Sequence, residues 1–250
     1  MAETGSKIFD LDALTDIADD DVLVEVDVSD TTDSVDGTNK KITVRDLLGL
    51  LNNGWIPAEQ TWEYLSGTTI TVPTGAADIY RKGMPFKLTA NSVELQGYIV
   101  GIADTVLTIV GDTLTNHTFT ENYYSNTGNP FGFPSYFDYT PSYSADATMT
   151  FTSISTRAAR FSISGRTVYL NLDFTGTTGG TASTAVFATL PVPAEDSYNR
   201  QSCPIGDGAN KLGWAYAADA TKAGFFNETQ SNWGLGASRY CFLSNSYIMA

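Results

Sequence analysis

The chain has 250 residues, enough for one large domain or two to three small ones, and a formal net charge of −14. So acidic a chain is a poor partner for nucleic acid, whose phosphates require Lys and Arg, and for an anionic membrane surface. It has no apolar run of about 18 residues and no apolar core near Met1, so neither a transmembrane helix nor a secretion signal is expected.

The charge is unevenly placed. Residues 1–53 hold 13 acidic and 4 basic side chains, residues 54–142 hold 8 and 3, and residues 143–250 hold 7 and 7. The net runs from −9 through −5 to 0, an asymmetry that marks separate modules. Gly, Ser, Thr and aromatic residues are abundant and long helical periods are absent, which favours β-structure. No repeat of about 20–50 residues is visible, which argues against a solenoid or propeller.

Residues 1–7 are polar. Leu11, Leu14 and Ile17 are spaced for one or two helical turns capped by Asp10. Val22, Val24, Val26 and Val28 then alternate with Leu23, Glu25 and Asp27, the period of a half-buried strand. Asp36-Gly37 is a turn signal, and Ile42 and Val44 begin a second extended piece. Thr43 with Asp46 has the form of a capping box, Leu47, Leu48, Leu50 and Leu51 give a short helical face, and Asn53-Gly54 stops it. A unit this small buries too little surface to stand alone, so it is expected to pack on a copy of itself or on a larger body.

These pieces resemble the N-terminal module of tailed-phage fibre and minor virion proteins. The matching elements are Leu11-Leu14-Ile17, Asp19-Asp20-Asp21, the valine strand, Ser29-Asp30-Thr31-Thr32, Lys40-Lys41-Ile42-Thr43-Val44 and Leu47-Leu48. The resemblance implies a virion structural protein attached to the particle through residues 1–53.

From Gly54 the pattern changes to short strands at close spacing. Ile70 and Val72 alternate up to Pro73, Thr74-Gly75 and Arg81-Lys82-Gly83 turn, Phe86 and Leu88 alternate, and 93–100 and 105–110 run extended. Residues 54–120 are therefore predicted to form a small antiparallel β-domain. Arg81-Lys82-Gly83, Phe86-Lys87-Leu88 and Gly97-Tyr98-Ile99-Val100-Gly101 are similar to a second module of phage virion proteins, although Met84-Pro85 stand where that module has an acidic residue.

Residues 121–142 carry three prolines, two glycines and seven aromatics with no period. Proline at this density excludes a central strand or helix. The segment reads as a linker whose rings pack between domains or across subunits, with an aromatic ligand loop as the alternative. One slim linker hides few rings, and three copies around an axis would cover them.

Residues 143–250 return to strand signals, predicted as a β-sandwich of the jelly-roll kind. Phe161-Ser162-Ile163-Ser164 and 167–174 read as a hairpin about Gly165-Arg166, with Val168, Leu170, Leu172 and Phe174 on one face. Further strands are placed at 186–190, 211–215, 224–226, 239–243 and 247–249, with a long connection at 193–208. This half is similar to the C-terminal domain of phage receptor-binding proteins and fibre tips, a resemblance that implies a homotrimer.

Chemistry is sparse. His117 is the sole histidine, no Gly-x-Ser-x-Gly elbow occurs, and neither a Walker A nor a dinucleotide fingerprint is present. Cys203 and Cys241 read as two reduced, partly buried thiols rather than a disulfide or zinc ligands. The sequons at Asn116 and Asn227 read as coincidences without export. Asp19-Asp20-Asp21 and the acids of 27–36 lack calcium-loop spacing and read as a solvated face. Distal carboxylates at Asp146, Asp173, Glu195, Asp196, Asp207, Asp219 and Glu228 would have to supply any glycosidase pair. Trp214, Tyr216 and Trp233, with Asn227, Gln230 and Asn232, form the candidate glycan surface, although such rings are more often core.

The sequence thus predicts a mainly β, non-enzymatic virion protein without cofactor or metal, made in the host cytoplasm and placed on the outside of the tail or head. A tail fibre or receptor-binding protein contacting a host surface glycan is the first expectation. A head fibre or capsid decoration protein, and a glycan-degrading tailspike enzyme, are the alternatives.

Overall fold

A computed structural model describes residues 22–27, 38–43, 53–195 and 200–250. The fold is mainly β. The chain divides at Gly54 into two compact units. In the first, β1 (Val22–Asp27) and β2 (Thr38–Thr43) pair antiparallel, from Val22 opposite Thr43 to Asp27 opposite Thr38. The alternating valines give the expected strand, and its partner starts at Thr38, before Ile42. The acidic turn at Asp36-Gly37, the leucine helix, the helical turns at Leu11–Ile17 and the acids at 19–21 and 28–36 lie outside the described residues.

The second unit contains two sheets. Seven strands make the first: β3 (Ile56–Pro57), β4 (Glu63–Ser66), β5 (Thr69–Thr71), β6 (Pro85–Ala90), β7 (Val93–Ala103), β8 (Val106–Gly111) and β9 (Phe119–Tyr124). Their order is β3-β9-β6-β7-β8-β5-β4. Phe86 and Leu88 alternate inward on β6 and pack with Trp62, Tyr80, Ile99 and Leu107. The buried Trp62 indole donates to Tyr80 Oη at 3.0 Å, so its N–H is not stranded in the core. Gly97 makes room for this packing: a Cβ there would lie 2.8 Å from the Phe86 ring. Thr74-Gly75 does turn the chain, and the turn runs on into one helical turn, α1 (Ala76–Ile79), opened by Gly75 at φ 89°.

Nine strands make the second sheet: β10 (Phe137–Asp138), β11 (Tyr143–Ala145), β12 (Met149–Ser164), β13 (Thr167–Gly180), β14 (Ala185–Thr189), β15 (Gln201–Gly206), β16 (Asn210–Asp219), β17 (Lys222–Asn227) and β18 (Gly236–Ile248). They run β10-β12-β13-β18-β15-β16-β17-β14-β11 as one continuous ladder. The expected sandwich thus takes the form of a single sheet curled on itself. The curl brings edge strand β11 back to β12, where Tyr143 and Thr156 hydroxyls meet at 2.7 Å. Val168, Leu170, Leu172 and Phe174 do share the buried face, against Phe161, Ile205 and Phe225. The hairpin closes at Ser164 opposite Thr167, with Gly165 at φ 57°.

Two strand assignments needed correction. The stretch 193–208 is not all connection, because β15 lies within it. Pro204 concealed this strand; it has no N–H, and β15 is registered with β18 only at Ile205 and Gly206, so Pro204 stands where one side of the ladder is open. The pieces 239–243 and 247–249 are not separate strands either. β18 runs through Ser244, Asn245 and Ser246, each paired to β13.

The proline-rich segment contributes the end of β9 and the edge strand β10. Phe133 and Phe137 are buried and meet Tyr98 of β7 edge-on at 5.0 and 5.6 Å, while Phe137 also touches Phe161 of β12. Each such ring is worth about 2–3 kcal/mol relative to exposure. Of the two expected placements, between domains or across subunits, these two rings take the first, since the chain's own sheets cover them. Phe131 and Tyr136 remain 83% and 46% exposed. A second contact between the sheets is backbone on backbone: a Cβ on Gly83, at φ 86°, would fall 1.7 Å from the Gly165 carbonyl oxygen.

Candidate functional site

Alternation along β16 turns Ala215 and Ala217 inward and Trp214 and Tyr216 outward. Tyr216 stacks flat on Phe226 of β17, 4.8 Å between centroids and 3° between planes, and the Arg200 guanidinium lies 5.1 Å from its centroid. Trp214 is 37% exposed, and its indole N–H donates to the Glu228 carbonyl at 3.2 Å. These two rings form a shelf. Trp233 does not join them: it is 1% exposed and belongs to the core. The reason is local. The buried Asn227 carboxamide accepts from Ser231 N–H at 2.8 Å and donates to Ser231 Oγ at 3.0 Å, folding the loop so that Trp233 turns inward. The Asn227 amide is therefore occupied in shaping its own loop. Just beyond, the buried Asp207 accepts from Gly234 N–H, and Arg239 donates to the Gly234 and Leu235 carbonyls.

A second outward feature lies across β12, β13 and β18. Strand register places Arg160, Asn171 and Ser244 in one row, and Ser162, Tyr169 and Ser246 in the next. Because β15 meets β18 only at Ile205 and Gly206, Gln201 faces these rows across an opening instead of a ladder. The result is an open groove of about 350 Å³, with Tyr136 on its far side. That volume falls within the range of about 300–1,000 Å³ typical of small-ligand sites. The Arg160 guanidinium lies 4.7 Å from the Tyr136 centroid, and its Nε is buried with no hydrogen-bond partner. Asp138 stands opposite Arg160 in register, yet no ion pair joins them, and among the described residues no carboxylate lines the groove. Amides, hydroxyls and two tyrosine rings thus converge on one cation.

Other candidate groups are engaged in structure. Asp146 accepts from Ser183 Oγ at 2.8 Å, Asp173 holds Arg157 at 2.6 Å, Glu195 holds Arg166 at 2.9 Å, and Asp219 accepts from Thr221 N–H at 2.7 Å. Thr221's backbone amide, aided by its hydroxyl and by Lys222, lowers the Asp219 carboxyl pKa. His117 is exposed between β8 and β9. Cys203 and Cys241 are free and buried on neighbouring strands; burial pushes the Cys203 thiol up to about 12 and the Cys241 thiol well above its ordinary value. A protonated buried thiol is a poor nucleophile and a poor metal ligand. Among the described residues, no three His, Cys, Asp or Glu side chains group to hold a metal ion, and no helix is long and apolar enough to cross a membrane.

Sequence reasoning missed the groove because register alone brings its residues together. One signal was present: three polar residues, Ser244 to Ser246, interrupt an apolar run, 240–243, that resumes at Tyr247. Comparison with protein-family models, with curated proteins and with solved structures finds no match to this chain.

Proposed function

We propose that the chain is a non-enzymatic structural protein of a tailed-phage particle, a tail fibre or receptor-binding protein. In this reading residues 1–53 hold the particle and the nine-stranded sheet meets a glycan on the host surface. The observation that carries it is the groove on the outer face of β12, β13 and β18. Amide and hydroxyl side chains there complement sugar hydroxyls, and tyrosine faces complement the apolar faces of sugar rings. The engagement of Asp146, Asp173, Glu195, Asp207 and Asp219 in structural contacts supports binding over catalysis. The resemblance of residues 8–51 to virion docking modules supports the placement.

A single shallow groove binds weakly, and a homotrimer multiplies it by presenting three equal sites. Light scattering is expected to give about three times the 26.9 kDa chain mass. Purified protein is expected to adsorb to host cells and to release no oligosaccharide from their surface polysaccharide. Deletion of residues 1–53 is expected to leave adsorption intact and to abolish incorporation into virions. Failure of the intact chain to adsorb sinks the receptor-binding reading, and release of oligosaccharide replaces it with a tailspike enzyme.

A further inference from the structure

We infer that the groove selects an anionic saccharide, with the acid group of the sugar seated on Arg160. This rests on the reading of the groove as a host-glycan site and names the class of glycan. Four observations lead there.

The first is a contrast among arginines of one sheet region. Arg157 is paired with Asp173, Arg166 with Glu195 and Arg239 with Asp207. Among the described residues Arg160, like Arg200, has no carboxylate partner, and of these arginines only Arg160 has an Nε–H that is buried without an acceptor. A guanidinium is always charged and offers a planar fork of donors, so a stranded donor beside an open cavity marks a place for a carboxylate or phosphate.

The second is position. The guanidinium lies against Tyr136 and not on Asp138, its neighbour in register, so the ring fixes the cation at the groove wall. The third is the company it keeps. Asn171, Gln201, Ser162 and Ser244 supply neutral hydrogen-bonding groups, and Tyr169 supplies an exposed ring. A bare phosphate would use only the guanidinium; a sugar ring bearing an acid uses the whole set. The fourth is the field. Residues 143–250 carry seven acidic and seven basic side chains, while the excess negative charge lies in residues 1–142. An acidic polymer therefore meets least repulsion at this sheet.

The test is an NMR titration of the intact chain, following the Arg160 Nε–H and the Asn171 side-chain amide. The probes are trigalacturonate, a hyaluronan tetrasaccharide and sialyllactose, each beside its neutral methyl ester, with inorganic phosphate as a separate arm. At least one acid is expected to bind about tenfold more tightly than its ester, and to weaken as salt is raised. Arg160→Gln is expected to erase that preference, and Arg160→Lys to retain part of it. Because both changes sit on the outer face, an unaltered amide spectrum elsewhere shows that the fold is kept. Should Arg160→Gln fail to fold, the acid-against-ester comparison on the unaltered chain decides alone.

Equal binding of acid and ester overturns the inference, as does an acid preference that survives Arg160→Gln. Phosphate binding as tightly as the best saccharide also overturns it, since the site then serves a bare anion. No shift with any acid does the same. Host-cell adsorption separates this inference from the reading beneath it. If unaltered protein and Arg160→Gln adsorb equally, the host-surface reading stands and the acid-sugar assignment falls. If neither adsorbs, the host-surface reading falls, and the titration still reports whether Arg160 selects acids.

Discussion

The two sheets of the second unit use aromatic side chains differently. The seven-stranded sheet turns Trp62, Tyr80, Phe86 and Phe119 into its own core. Its partly exposed Tyr123 lies beneath the Lys87 ammonium, 4.9 Å from the ring centroid. The nine-stranded sheet has rings on both faces. Phe161, Phe174, Phe225 and Trp233 are inside, while Tyr169, Trp214 and Phe242 stand exposed outside. Scattered surface rings are ordinary, and of these three only Tyr169 lines the groove. The first sheet buries or braces its rings; the second buries rings on one face and exposes them on the other.

The sharpest way to break this comparison is to remove an inner ring. Trp233→Ala is expected to cost about 4 kcal/mol in urea unfolding, because it empties a fully buried site. If the cost is below about 1 kcal/mol, Trp233 is not the core residue described. Phe137→Ala, at the contact between the sheets, is expected to cost about 3 kcal/mol by the same measurement. Gly83→Ala follows at about 2 kcal/mol, since Ala meets both a left-handed backbone and the Gly165 carbonyl. Loss of the same size from Gly132→Ala, also at positive φ but with no atom near its Cβ, would show that strain alone and not the sheet contact is responsible.

Alkaline pH tests the inner face another way. An unfolded cysteine ionises near 9, whereas folded Cys203 holds its proton to about 12. Its contribution is therefore complete below pH 9 and is lost as pH rises toward 12, by up to about 1.4 kcal/mol per pH unit. Cys241 acts in the same direction. Replacing both by Ala is expected to flatten the fall in urea midpoint between pH 9 and 10, before tyrosine ionisation adds to it. The smallest effect belongs to the outer shelf: Trp214→Ala is expected to change stability by less than about 1 kcal/mol, because the ring is already partly in water.

Much of the fold was legible where alternation was clean. Phe86 with Leu88, and Val168 through Phe174, announce their buried faces because a two-residue period has one structural meaning. Legibility failed where loop-like residues stand on strands. Pro204 and the polar run Ser244 to Ser246 resemble loop, yet both lie on strands bordering the groove. The candidate site was legible only in part. Trp214 and Tyr216 are outward, as an i, i+2 pair on one strand must be if either is. Trp233 has no strand to declare its side, and the Asn227 turn decides it. Arg160, Asn171 and Ser244 could not be grouped from sequence, because cross-strand register is set by the whole hairpin and its bulges.

The alternation along β12, β13 and β18 has a hereditary consequence. Phe161, Leu170 and Leu243 face the core, while the residues beside them, Arg160, Asn171 and Ser244, face outward. Adjacent codons therefore carry different structural constraints: one side chain is packed and the next is not. A lineage can rewrite the outward triplet one position at a time and acquire a new surface chemistry, while the inward triplet goes on holding the same sheet.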